Sequence, residues 1–387
     1  MSNRSKEILM IGAGLLLLLG QWFLDGVHAL GQRYRQYPRS YTALAYLFLT
    51  MAFCYHPVLE HWLGGFMMMS LPVAMLAGLT ASLYLLRKQE RLVGTVGLVW
   101  LALTLPIVKR LVGTGTPAPL AVAAPSLSVL SFNGECFREP HNAAISQAAR
   151  QSDIACFQEY SPNAGLETQY PDKLTHLTRF ADQQQIGLAL FSRFPIVNRY
   201  GRIWQRAGAP AINGFLVADV AYGRDTVRIV NVHLWSMGVR INQALDSARA
   251  GNLSGMVTEL ADTFSRLKEG FRKRDEQVAE VSRYVEGSRY PVIICGDFNE
   301  TPFGYAYGKL RLNFSNAFEE AGEGFGFTLN RHPYCVRIDQ QFFSADWAVR
   351  SCRTLSGITV SDHFPVVAQY VLKKSVLAAP EPVLAQR

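Results

Sequence analysis

Four apolar runs, Ile8 to Leu24, Tyr41 to Leu59, Phe66 to Leu86 and Leu92 to Val108, fill most of the first 115 residues. Each approaches the ~20 residues that a helix needs to cross ~30 Å of hydrocarbon. Segments this apolar and this close together have no natural place in water, and they constrain the fold more than any other feature. The rest of the chain mixes charge, turn residues and short hydrophobic stretches, as a soluble domain does. The chain therefore reads as two parts in two solvents. Residues 1–115 are expected to form an all-α transmembrane bundle of three or four helices. Residues 116–126 are expected to form a linker, residues 127–373 the soluble domain, and residues 374–387 a disordered tail. The linker lies within the uncharged run GTGTPAPLAVAAPS, whose prolines and small residues suit an extended connector.

The first run resembles a signal-peptide core but lacks a small-residue cleavage site, and more apolar runs follow it, so it is read as retained. Arg33, Arg35 and Arg39 precede the second run, and Arg87, Lys88 and Arg91 separate the third from the fourth. Basic residues near segment ends prefer the cytoplasm. The expected location is a bacterial inner or cell membrane with the soluble domain on the extracytoplasmic side. Lys109 and Arg110 run against that orientation, as do Arg4 and Lys6 if every segment spans. Asp25, His28, His56 and His61 lie at segment edges, which favours an anchor over a transporter.

The formal charge of +8 would suit a nucleic-acid binder, but its distribution does not. Residues 1–125 hold ten basic and four acidic residues, and the remainder holds 28 and 26, an excess of only two. Six cysteines include no C-x-x-C pair, so neither a zinc site nor a disulfide framework is signalled. Cys156 and Cys295 fall within strand-like stretches and read as buried thiols.

Beyond the linker, strand-length apolar runs recur at Leu127 to Phe132, Ile154 to Phe157, Leu188 to Ser192, Phe215 to Val220, Val227 to Val232, Val292 to Cys295, Gln341 to Ser344 and Val366 to Val371. Helical spacing is found over His141 to Gln151, Gly255 to Phe271 and Arg274 to Tyr284. The alternation predicts a two-sheet α/β sandwich. Between Arg240 and Arg274 lies a basic amphipathic stretch, read either as a solvated helix face or as a cationic lip for anionic headgroups or a polyanionic substrate.

Polar side chains cluster at the ends of these strands. Asp297 and Asn299 follow the apolar run Val292 to Cys295, where sites form in α/β folds. Either alone is ordinary turn chemistry. His233 ends another apolar strand, Glu159 follows Ile154 to Phe157, and Asp339 and His363 approach the last strands. An Asp–His pair is what fixing an imidazole's tautomer requires. Singly these residues settle nothing, but together they form a constellation.

The ordered set Ser131-Phe-Asn133, Gln158-Glu159, Val232-His-Leu234, Gly296-Asp-Phe-Asn299, Ile338-Asp339 and Ser361-Asp-His363 resembles the endonuclease/exonuclease/phosphatase superfamily. That resemblance implies a four-layered α/β sandwich of the deoxyribonuclease I type and water attack on a phosphoester. It implies Glu159 as the main ligand of Mg²⁺, or of Mn²⁺, with Asn133 beside it and Asp362 as a further ligand. His363, oriented by Asp339, would contact the phosphate or help deprotonate water. Asp297 would align the water, Asn299 would donate to the phosphate, and His233 would bind a phosphate oxygen or protonate the leaving group. The substrate is a phosphoester, either a lipid headgroup or nucleic acid, beside membrane lipids, and no obligate protein partner is expected. Two departures from the family pattern stand out: no acidic partner for His233 is evident between Thr168 and Val230, and Gln340-Gln341 follows Asp339. A non-catalytic interaction module is the alternative of another class, and the complete set of ligands argues against it.

Overall fold

The computed structural model describes residues 21–22, 24–57, 61–115, 125–137, 143–205, 211–236, 246–331 and 334–373. Most of the first apolar run, most of the expected linker and the expected tail lie outside these residues. The chain divides into two compact units. One comprises Met1–Ala52 with Ser70–Thr104, the other Phe53–Met69 with Leu105–Arg387.

In the larger unit the Val-, Ile- and Phe-rich runs form the strands β1 (Leu127–Asn133), β2 (Ile154–Tyr160), β3 (Asp172–Arg179), β4 (Gln185–Ser192), β5 (Ile196–Ile203), β6 (Gly214–Tyr222), β7 (Asp225–His233), β8 (Val292–Asp297), β9 (Ser315–Asn316), β10 (Asp339–Phe343), β11 (Trp347–Thr354) and β12 (Val366–Leu372). They build two six-stranded sheets, ordered β11-β12-β1-β2-β4-β3 and β9-β10-β8-β7-β6-β5. Each sheet has one parallel pair, β1 with β2 and β7 with β8. A parallel pair needs a crossover, and a helix supplies it each time: Ala143–Arg150 in the first sheet and Leu253–Val285 in the second.

Those crossovers give four layers. Leu127, Val129, Cys156 and Leu190 of the first sheet meet Leu216, Ile229, Ile293 and Cys295 of the second in one core. On the far side of the first sheet, Phe132, Phe157 and Phe191 pack with Ile145 and Ala149 of its crossover helix. On the far side of the second, Phe215 meets Tyr284 of the long helix at 5.2 Å between ring centroids. Polar ties cross the core. Asn231 donates to the carbonyls of Phe157 and Ala189, each at 2.9 Å, and accepts from Gln158 at 2.6 Å. Gln341 donates to the carbonyls of Val129 and Val366, at 3.3 and 3.0 Å, and accepts from the Tyr370 hydroxyl at 2.8 Å. Buried amides left unmet would destabilise the core, so these pairings fix how the sheets face each other.

The eight expected strands are all present. The expected helices over Gly255 to Phe271 and Arg274 to Tyr284 are one continuous helix of 33 residues. Nothing between them breaks it, since Arg272 and Lys273 are good helix formers. Its basic stretch includes Arg274, expected on a solvated face but buried in the structure.

In the smaller unit, Leu44, Ala81 and Leu85 pack with Tyr37, Tyr41, Val93 and Trp100. Its helices approach closely at small residues: a Cβ on Gly97 would meet Ser82 and Leu44, and one on Gly78 would meet Leu47. Val73, Leu76, Leu83 and Leu92 are exposed, Leu92 to 73% of its surface, so the outside of this unit is apolar. Among the described residues one helix, Arg91–Val108, is long and apolar enough to cross a membrane, or two if the bent pair Trp62–Met69 and Leu71–Arg87 is one span. That criterion rests on length and composition, which a buried core helix also meets.

Candidate active site

Three strand positions of the second sheet lie side by side. His233, at the end of β7, is in register with Asp297, at the end of β8, and Asp297 is in register with Asp339, at the start of β10. Neighbours in register project to the same face, so one imidazole and two carboxylates are aligned by pairing alone. Gly296 makes the close approach of β7 and β8 possible: its φ is +146°, and a Cβ there would strike the Val232 carbonyl.

The first sheet supplies the facing half. Asn133 ends β1 in register with Gln158 of β2. Opposite β4, the register of β2 shifts between Phe157 and Tyr160, a bulge that carries Glu159 at a φ of +48°. A bulge next to a site re-aims a side chain, and a glutamate with positive φ is held by its surroundings at some cost in strain. Asn299 likewise has a φ of +50°, which an asparagine tolerates more readily.

The two halves converge on one atom, Oδ2 of Asp297. Asn133 Nδ2 donates to it at 3.0 Å and reaches Glu159 Oε1 at 3.5 Å. Asn299 Nδ2 donates to it at 3.2 Å, and His233 Nε2 and His363 Nε2 lie 3.7 and 3.8 Å away. His233 Nε2 is also 3.8 Å from Glu159 Oε1. Residues spread from 133 to 363 thus share one cleft. Asp297, Asp339, His233 and His363 are buried, while Glu159, Asp362 and Asn299 are partly open to solvent.

His363 Nδ1 sits 2.9 Å from Asp339 Oδ2, which fixes the ring and leaves Nε2 toward Asp297 and Asp362. Burial alone would lower the His363 imidazole, but Asp339, Asp297 and Asp362 outweigh it and raise it to about 10. Burial also raises Asp339, with Asp297 adding to the effect and His363 opposing it. Both shifts favour keeping a proton in the couple. Among the described residues no carboxylate reaches His233 Nδ1. The Ile212 carbonyl takes that place, 3.2 Å from Nδ1, and because a carbonyl only accepts, it holds the proton on Nδ1.

Two residues with no expected role complete the support. Ser361 Oγ donates to the Asn133 carbonyl at 2.8 Å and accepts the His363 N–H at 3.1 Å. Thr328 Oγ1 accepts the N–H groups of Ile338 and Asp339 at 3.0 and 3.1 Å. Serine two places before the histidine is a local turn signature, whereas Thr328 gave no signal in the sequence. Arg331, also unforeseen, pairs with Asp362 at 2.7 Å on the rim. Asn299 was expected to donate to substrate, but its amide group is engaged within the protein, with the Leu234 carbonyl at 2.9 Å and with Asp297.

The donor set suits a hard divalent cation. Glu159 and Asp297 flank His233, Asp297, Asp339 and Asp362 flank His363, Arg331 pairs with Asp362, and Asp339 Oδ1 is buried without a hydrogen-bond partner among the described residues. Ligand atoms of Asp297, Asp339 and His363 lie within 4.8 Å of one another. Asp339 and His363 are already bonded to each other, so the solvent-facing oxygens of Glu159 and Asp362 fit a cation that keeps waters.

The model of the Endonuclease/Exonuclease/phosphatase family matches residues 130–363. The chain belongs to this family. Members of the family are generally hydrolases of phosphoester or nucleic-acid substrates and typically use divalent metals. Similar solved structures include the endonuclease/exonuclease/phosphatase from Beutenbergia cavernae DSM 12333, at 18% identity over 66% of this chain and 73% of that one, with a TM-score of 0.48. The human Nocturnin catalytic domain with bound sulfate is 17% identical over 64% and 95%, with a TM-score of 0.43. D. rerio TDP2 complexed with single strand DNA product is 14% identical over 63% and 98%, with a TM-score of 0.45. No curated protein matches the chain.

Proposed function

We propose that this family member is a membrane-anchored, divalent-metal-dependent phosphodiesterase or phosphatase whose substrate is a phosphoester at the bilayer. The observation that carries the reading is the convergence of Asn133, His233, Asn299 and His363 on Asp297 Oδ2, with Glu159 beside them. Glu159 and Asn133, with Asp362, would hold Mg²⁺ or Mn²⁺, which when bound supplies a positive charge against the phosphoryl oxygens. Asp297 takes the proton of the attacking water, and Asn299 keeps that carboxylate in place. His363, charged and fixed by Asp339, binds a phosphate oxygen and stabilises the charge that accumulates there. His233 Nε2, left as an acceptor and 3.7 Å from Asp297 Oδ2, takes over the proton that Asp297 removed from water and delivers it to the leaving oxygen.

The anchor reading is supported by the apolar exterior and close small-residue contacts of the smaller unit, the pattern of helices packed in lipid. Loop charges support an extracytoplasmic catalytic unit. Arg110, which ran against that side, is buried and donates to the Cys54 carbonyl at 3.0 Å, so its charge is used within the fold rather than as a topology signal.

The test is hydrolysis by the full chain in vesicles, with Mg²⁺ or with EDTA, of bis-p-nitrophenyl phosphate, a phospholipid panel and plasmid DNA. Glu159→Gln and His363→Ala are expected to lower the rate by at least ~100-fold, and EDTA to abolish it. Turnover that survives EDTA and both substitutions would sink the assignment. Preferential cleavage of plasmid DNA would replace the lipid reading with a nuclease. Extraction of the chain from membranes by alkaline carbonate would remove the anchor.

A further inference from the structure

Behind the cleft lies a buried ion pair that the proposed chemistry does not use. Arg274 of the long helix and Glu300, which follows the Gly296-Asp-Phe-Asn299 turn, are 0% and 2% exposed. Arg274 Nη1 donates to the Trp235 carbonyl at 3.2 Å, and Nη2 lies 3.5 Å from Glu300 Oε1. The other Glu300 oxygen accepts the Ala306 N–H at 2.7 Å. One turn along the long helix, Gln277 accepts the Trp235 N–H at 2.8 Å. Asn299 closes the ring through the Leu234 carbonyl. The loops that leave His233 and Asp297 are therefore tied to one helix face and to each other. As a stabilising device a buried ion pair is inefficient, because desolvation offsets the attraction. As a way to fix two loops it is specific.

The support reaches into the hydrophobic N-terminal third. Arg274 Cζ lies 5.0 Å from the centre of the Phe271 ring, and that ring meets Phe66 at 5.3 Å between centroids. A Cβ on Gly65 would collide with the same ring. Helix Tyr305–Arg311, whose start is bonded by Glu300, has Gly308 in reach of Pro57 and Met68. Pro57 and helix Trp62–Met69 back both halves of the pair.

We infer that Arg274, Gln277 and Glu300 are positioning residues for His233 and Asn299, and that Pro57 and helix Trp62–Met69 complete this clamp as a working part of the catalytic unit. The inference rests on the hydrolase reading above. Its test uses the full chain in detergent micelles and the variant Arg274→Met with Glu300→Met, which removes both charges at similar volume and leaves no lone buried ion. With bis-p-nitrophenyl phosphate and Mg²⁺, kcat should fall at least ~10-fold while KM stays within about twofold. Hydrogen exchange in residues 234–236 and 300–306 should quicken at least ~10-fold, with the thermal midpoint kept. Gly65→Ala should reproduce both effects, and adding Phe271→Leu should reverse them. The clamp is overturned if the double variant keeps the parent kcat and the parent exchange rates, or if Gly65→Ala moves only the thermal midpoint. If the unaltered chain hydrolyses nothing, the proposed function fails, while the exchange rates still decide the clamp.

Discussion

Asp339→Asn isolates one interaction. Asp339 is buried, and its Oδ2 is 2.9 Å from His363 Nδ1. The amide keeps the shape and removes the charge. A hydrogen bond to a charged group contributes about 1.5–3 kcal/mol, which at 1.36 kcal/mol per tenfold is roughly a 10- to 150-fold fall in kcat. The sign of the pH effect follows from the raised His363 pKa. The charged ring's contribution is fully present below the ordinary imidazole value and is lost as pH rises through about 10. Without Asp339, the first among the groups that raise it, burial pulls the imidazole down and the loss begins at lower pH. The assay is kcat for bis-p-nitrophenyl phosphate across neutral and alkaline pH, beside histidine ring NMR signals followed over the same range. An alkaline limb that coincides with that of the parent, with kcat within about threefold, would refute the role given to the couple.

Asn231→Leu should destabilise the chain by about 2–5 kcal/mol, because it strands the buried carbonyls of Phe157 and Ala189 and the Gln158 amide; denaturant melts read this directly. Glu319 is pushed up by burial but held below the usual carboxylate range by its bonds to Arg311 and Tyr307, so its contribution exists above the ordinary carboxylate value and is lost as pH falls through the depressed one. Glu319→Gln should therefore cost about 1–3 kcal/mol at neutral pH and progressively less in acid, which thermal midpoints against pH will show. Gly97→Leu should separate the helices of the smaller unit at Ser82 and Leu44, seen as faster proteolysis of residues 71–103 in micelles with bis-p-nitrophenyl phosphate turnover retained.

The eight strands legible in the sequence are mainly interior strands, because burial on both faces makes them near-continuous apolar runs. Within the two six-stranded sheets, the four strands not foreseen, β3, β5, β9 and β11, are the edges. Asp172–Arg179 and Ile196–Ile203 carry charge on their exposed sides, as edge strands do, and so hide their period. The same contrast holds at the site. Asn133, Glu159, His233, Asp297, Asp339 and His363 stand at strand ends where pattern and motif coincide. Thr328, Ile212 and Arg274 act through a backbone contact or a partner far along the chain, and no local spacing marks them. Arg274 sat in a basic stretch that read as solvated, and only the tertiary fold shows that its partner is Glu300.

The path of the chain between its two units has a consequence for biosynthesis. Residues 53–69 belong with the larger unit, yet the next residues, Ser70–Thr104, return to the smaller one. Phe66 and Gly65 leave the ribosome roughly 200 residues before Phe271, the ring they meet, so at ~5–20 residues per second they wait some tens of seconds for it. Through that interval an aromatic, glycine-bearing helix stands without its partner. The larger unit can mature only when the long helix and helix Tyr305–Arg311, both made much later, have returned to pack on helix Trp62–Met69.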